Sequence, residues 1–100
     1  SNGIAVNVTD EEIMAAQKLL GRTCGVFGEP AGVTGTAGLK KLCEQGTIPS
    51  DARVVSVVTG NGLKDTENAI RFCGAPISVP NDMEKLQSAF ADAGIHLEQK

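Results

Sequence analysis

The stretch that most constrains this chain is Arg53-Val54-Val55-Ser56-Val57-Val58-Thr59-Gly60-Asn61-Gly62-Leu63-Lys64-Asp65, in which four valines empty into a hydroxyl and a glycine-bracketed turn. Valines on either side of Ser56 put apolar groups on both faces, the pattern of a central strand covered on both sides in a parallel sheet. Thr59 then falls at the carboxyl end of that strand. Ligands bind at this end in open α/β sheets, because the loops diverge there and leave a crevice. An ordinary strand-to-helix turn would carry the same valines, so the strand alone assigns no function.

One hundred residues allow one domain, and a chain of that length buries only about 60–65% of the surface exposed when unfolded. Three Phe, no Trp, no Tyr and twelve Gly narrow the margin, since glycine adds backbone entropy without buried area. Some apolar faces are therefore expected to belong against something outside these residues. A net charge of −3 supplies no basic stripe for nucleic acid or anionic lipid. No apolar run nears the roughly 18 residues of a membrane span, and nothing marks a signal peptide, so a soluble protein is expected. Cys24, Cys43 and Cys73 are odd in number and widely spaced. They read as reduced, mostly buried thiols of a cytoplasmic protein, with neither a disulfide framework nor a metal site. The opening Ser1-Asn2 reads as the remnant of a cleaved tag on part of a longer protein.

The elements follow from local signals. Ile4 to Val8 is β-prone, and Thr9-Asp10-Glu11-Glu12 opens a helix through a capping box. That helix is expected to run to about Leu20 and stop at Gly21, with Ile13, Ala16 and Leu20 on a face widened by Ala15 and Leu19. After Gly25 to Gly28, Pro30 at a first helical position predicts a second helix, closed by Gly46. Its interior glycines, Gly32, Gly35 and Gly38, each cost about 1 kcal/mol relative to alanine. At 100° per residue Ala31, Gly32, Gly35, Thr36, Leu39, Leu42 and Cys43 share a side, opposite Lys40, Lys41 and Glu44. Such a stripe lets the first turns approach another backbone, or a ligand, closely.

Residues 47–52 read as a surface connection. Asp65 to Phe72 predicts a short helix ended by Gly74, and Ala75 to Pro80 an edge strand flanked by prolines. Asn81 or Asp82 caps a last helix with Met83, Leu86, Ala89, Phe90 and Ala93 on its apolar stripe, stopped by Gly94. The methionines and Phe90 read as core. His96 reads as a surface residue, and Lys64 with Asp65 as a solvated salt bridge orienting the turn.

Glu29-Pro30-Ala31-Gly32 at the head of a glycine-rich helix, Ala37-Gly38-Leu39-Lys40-Lys41-Leu42 within it, and Val57-Val58-Thr59-Gly60-Asn61-Gly62-Leu63-Lys64-Asp65 stand in a recognisable order. From about Val8 to Asp65 the chain resembles the carboxyl-terminal part of the threonine synthase family, pyridoxal-phosphate enzymes of the tryptophan-synthase-β fold type. Sister enzymes usually place serine where Thr59 stands. Asn61 departs from the histidine carried by many members, and residues 66–100 match only as a variable extension.

The resemblance implies an α/β fragment of a three-layer parallel-sheet domain (fold type II), with few strands and helices on both faces. It implies pyridoxal 5'-phosphate as cofactor, with the Thr59 hydroxyl on the pyridine nitrogen, Glu29 near the ring edge, and Gly60 and Gly62 letting the backbone approach the ring. A carboxylate at Glu29 that merely satisfies helix N-terminal amides is the competing reading. The implied reaction takes O-phospho-L-homoserine and water to L-threonine and phosphate. No counterpart of the family's Schiff-base lysine or phosphate loop occurs among these residues, so no catalytic residue is assigned, and the isolated polypeptide is expected to be inactive. The expected partners are the remainder of its own chain and an amino-acid substrate. A homodimer through exposed apolar faces stays open, as do a non-catalytic small-molecule-binding or regulatory module and a sister dehydratase.

Overall fold

The capping box after Val8 forms the start of α1, Asp10–Cys24, in a computed structural model that describes residues 2–95, the Phe72 side chain excepted. Thr9 Oγ1 accepts from the Glu12 amide at 3.2 Å, and Glu12 Oε2 accepts from the Thr9 amide at 2.7 Å. The helix runs past the expected stop at Gly21. It ends where Gly25 adopts φ 68° and its amide donates to the carbonyls of Leu20 and Gly21. A glycine inside a helix costs only about 1 kcal/mol, whereas the left-handed turn at residue 25 needs one.

Pro30 opens α2, Pro30–Glu44, and Gly46 with φ 70° follows its end, as the punctuation predicted. The two helices pack together, burying Met14, Ala16 and Gln17 of α1 and Gly32, Val33, Ala37 and Gly38 of α2. This corrects both expected faces. Ala15 is exposed, and of the seven residues assigned to the α2 stripe only Gly32 is buried, while Ala31, Gly35 and Cys43 are exposed. The face that meets α1 is rotated toward Val33 and Ala37. Gly35, Leu39 and Leu42 line an open apolar groove instead, together with Ile4, Val6 and Ile48.

Lys41 holds the pair at its edge. Its Nζ lies 2.9 Å from Glu12 Oε1 and donates to the Asn7 carbonyl at 3.0 Å, tying the α1 cap to the side of α2. Lys40 pairs within its own helix, with Glu44.

The remaining segments are open. Among the described residues no strand forms, and the one isolated bridge, Gly28 with Asn61, is antiparallel. The four-valine run is not a covered strand: Val55 is 90% and Val57 73% exposed. A strand needs partners along both edges and a layer on each face, and these residues supply neither. Neither the Ile4–Val8 segment nor Ala75 to Pro80 forms a strand. A short 3₁₀ turn, Gly62–Asp65, leads into α3, Thr66–Cys73, which ends at Gly74 with φ 79°.

Asp82 caps α4, Met83–Asp92, through its acceptance from the Lys85 amide at 3.0 Å. None of the residues of α4 is buried, so Met83, which is exposed, and half-buried Phe90 are not core, in contrast to Met14. The three thiols are free and exposed, not buried, because none lies on the α1–α2 seam. His96 lies outside the described residues. The radius of gyration, 17.5 Å, exceeds the roughly 13 Å of a closed domain of this length, in keeping with one small core between α1 and α2. No helix among the described residues is long and apolar enough to cross a membrane.

The Glu12 cap makes the helix pair pH-sensitive. Hydrogen bonds from Lys41 first, and from the Thr9 amide second, hold the Glu12 carboxyl below its ordinary value of 4.5. A depressed carboxyl contributes stability that is complete above the unfolded-state pKa and is lost as pH falls through the folded-state value. Unfolding followed by circular dichroism should therefore show wild-type stability declining below about pH 4.5, with a shallower decline in Glu12→Gln. Identical slopes would remove Glu12 from the linkage.

Candidate functional site

The turn after the valine run is tied to residues 27–29 by backbone hydrogen bonds. The Glu29 amide donates to the Gly60 carbonyl at 2.9 Å, and the Gly62 amide donates to the Phe27 carbonyl at 2.9 Å. Residues 27–29 and 60–62 thus exchange bonds around the Gly28–Asn61 bridge, far apart in sequence yet fixed in register.

That approach requires missing side chains. A Cβ on Gly28 would lie 2.6 Å from Cγ1 of both Val33 and Val58, well inside contact distance. A Cβ on Gly32 would lie 2.9 Å from the Gly60 amide nitrogen and 3.3 Å from its carbonyl oxygen. The expected close approach at the head of α2 is therefore real, and its target is the Gly60 backbone. Gly38 similarly admits Val6 at 3.1 Å, whereas Gly35 faces open space.

Gly60 and Gly62 are filled from within the chain. A Cβ on Gly60 would collide with the Glu29 carboxylate, and one on Gly62 with the Phe27 ring. Glu29 is the N-cap residue of α2 but makes no side-chain capping bond, so the reading in which it merely satisfies helix amides fails. Its carboxylate lies against Gly60 instead, with Lys64 Nζ 3.8 Å from Oε1. Lys64 and Asp65 accordingly serve different neighbours: Asp65 caps α3 by accepting from the Asn68 amide at 3.3 Å. Asn61 Oδ1 accepts from the Leu63 amide at 2.9 Å, which stiffens the exit of the turn.

Thr59 stands at the entrance of this turn. It is exposed, and its hydroxyl has no hydrogen-bond partner among the described residues. The structure thus brings Glu29, Gly60 and Gly62 together, and places Thr59 beside them as a neutral hydroxyl on a braced backbone. Behind the turn sits Gln17, 6% exposed, whose Nε2 donates to the Gly28 carbonyl at 2.6 Å. Helical spacing carried the signal for it: Gln17 follows Ile13 by four and precedes Leu20 by three, a polar residue on an apolar stripe. Among the described residues no group of three His, Cys, Asp or Glu side chains is placed to hold a metal ion.

With this geometry the chain belongs to the pyridoxal-phosphate dependent enzymes, whose family model matches residues 1–60 and so includes Glu29, Thr59 and Gly60. Within that class it is similar to the threonine synthase of Methanocaldococcus jannaschii, with 53% identity over 87 residues, 87% of this chain and 22% of that protein. The threonine synthases of Methanosarcina acetivorans and Halalkalibacterium halodurans are 44% and 46% identical, over 89% and 92% of this chain. The chain spans only 22% to 25% of the length of these three relatives.

Gly60→Ala should displace Glu29 and destabilise the fold by about 1–3 kcal/mol. In a double-mutant cycle Glu29→Ala should recover part of that loss, because the added methyl then enters vacated space. Strict additivity in chemical denaturation would show that Glu29 does not occupy the position above Gly60.

Proposed function

We infer that this chain is the carboxyl-terminal part of a threonine synthase-like enzyme, which converts O-phospho-L-homoserine and water to L-threonine and phosphate. The observation that carries this reading is an exposed Thr59 hydroxyl on a turn pinned by the Glu29–Gly60 and Phe27–Gly62 hydrogen bonds. Membership of the pyridoxal-phosphate family and similarity to proteins named threonine synthase support it.

The residues present suit the cofactor by their chemistry, a free neutral hydroxyl at Thr59 beside the Glu29 carboxylate on one turn. Bound there, pyridoxal 5'-phosphate would supply the electron sink for a substrate carbanion. Thr59 would hold its pyridine nitrogen through a neutral hydroxyl, which shares a hydrogen without imposing the full charge that a carboxylate brings. Glu29 would border the ring from the start of α2. Gly60 and Gly62 would let the backbone approach the ring, with the Glu29 carboxylate and the Phe27 side chain lying against them. Covalent attachment of the cofactor falls to residues outside this stretch. The exposed faces of Val55 and Val57 then belong under further layers of the same chain, in an α/β sheet of fold type II. The remainder of the chain and an amino-acid substrate are its partners, in the cytoplasm.

Thr59→Ala in the complete enzyme should lower kcat by about 10- to 100-fold, the worth of one hydrogen bond in an enclosed site. Thr59→Ser, which keeps the hydroxyl, should stay within about threefold of wild type on the same scale. Unchanged kinetics in Thr59→Ala, with full cofactor content measured by absorbance, would remove Thr59 from the site.

A further inference from the structure

α1 grips residues 27–29 by one side-chain hydrogen bond among the described residues. Gly28 offers no side chain, and its Cα is wedged between Val33 and Val58 so tightly that none fits. The Phe27 carbonyl and the Glu29 amide on either side are used by the turn at Gly62 and Gly60. The Gly28 carbonyl remains, and Gln17 takes it at 2.6 Å from the buried face of α1. Gln17 is the only polar or charged residue among the buried ones described.

A buried amide is expensive to leave unpaired, so one that bonds a single backbone carbonyl constrains both groups strongly. The segment so held also exchanges two hydrogen bonds with the turn that begins just after Thr59, while the Glu29 carbonyl accepts from the Val33 amide at 3.1 Å in the first turn of α2. A displacement of Gly28 must therefore shift Gly60 and Gly62 or break their bonds to Glu29 and Phe27. None of the other contacts described reaches from α1 to this segment by a side-chain hydrogen bond.

We propose that Gln17 is a positioning residue: through the Gly28 carbonyl it sets the place of the 60–62 turn, and hence of the Thr59 hydroxyl and Glu29 carboxylate. Its role toward the cofactor rests on the reading of that turn given above. Its role toward the turn itself does not. The specific chemistry is donation by a neutral amide, which neither an apolar residue of the same length nor a carboxylate can supply.

The test uses the complete enzyme, with Gln17→Met, which keeps the length and volume but removes the donor. Amide hydrogen exchange of the cofactor-free protein should quicken about tenfold at Glu29 and Gly62, with the interior amides of α2 unchanged. In the same variant loaded with pyridoxal 5'-phosphate, the visible absorption band of the bound cofactor should shift at full stoichiometry. Unchanged exchange at Glu29 and Gly62 would overturn the proposal whatever the spectrum does. Quickened exchange with an unaltered spectrum would support the clamp and instead overturn the cofactor reading of the turn. If Gln17→Met loosens all amides alike, Gln17→Glu decides the matter, because its carboxyl regains a donor only when protonated. Relative to intrinsic rates, exchange at Glu29 and Gly62 should then slow as pH falls, and the absence of that response would overturn the proposal.

Discussion

The close crossing of two backbones above Gly32 is the constraint on which the rest of this structure depends. Gly60 passes near enough to α2 that a Cβ on Gly32 would meet its amide nitrogen at 2.9 Å. Only there can the Glu29 amide reach the Gly60 carbonyl and the Gly62 amide reach the Phe27 carbonyl. A side chain at Gly32 would push the two backbones apart, and one at residue 28, 60 or 62 would collide with Val33 and Val58, with Glu29 or with Phe27, so glycine stands at each despite its cost in entropy. The turn is consequently defined by main-chain geometry, which is harder to deform than a set of side-chain contacts.

Such a crossing needs a rigid floor, and the α1–α2 pair supplies it. Val33 and Ala16 are fully buried, and Lys41 binds the capping end of α1 to α2 through Glu12 and the Asn7 carbonyl. Glu29 is the residue preceding α2, so the direction of that helix sets where its carboxylate can lie. Gln17 approaches the same segment from the other helix. The small core therefore does two jobs: it stabilises the pair, and it delivers two side chains to the backbone that carries the turn.

The parts legible in the sequence were those decided by local chemistry. The Thr9–Glu12 box, Pro30 at the head of α2, and the glycine stops at residues 46 and 74 act within a few residues of themselves, and each lies where expected. Glu29 and the turn at Gly60 and Gly62, which the structure brings together, were likewise visible as motifs, and Gly32 as a point of close approach. What escaped depended on neighbours distant in the chain. The stripe drawn on α2 assumed one partner, whereas α1 takes Val33 and Ala37 while Leu39 and Leu42 turn to a groove. Gln17 has an unremarkable local context, and only its place on an apolar stripe distinguishes it. The valine run shows the same limit from the other side: its composition suits a covered strand, but burial is conferred by layers that these residues do not contain.

That division bears on how a cofactor site can be assembled. In the proposed site the Thr59 hydroxyl would gain nothing from a flexible support, since each degree of freedom it retained would have to be lost on binding a ring nitrogen. Here its backbone is anchored on one side by the 60–62 bonds and continues on the other into Val58, which packs against Gly28. The neighbouring valines are largely exposed in this stretch, so covering them would complete the support from the strand side. A hydroxyl braced from behind by glycine-dependent backbone and from below by valines could tune a ring without touching the group that holds it covalently. The two tasks then tolerate being encoded far apart in one chain, provided that the crossing above Gly32 keeps its register.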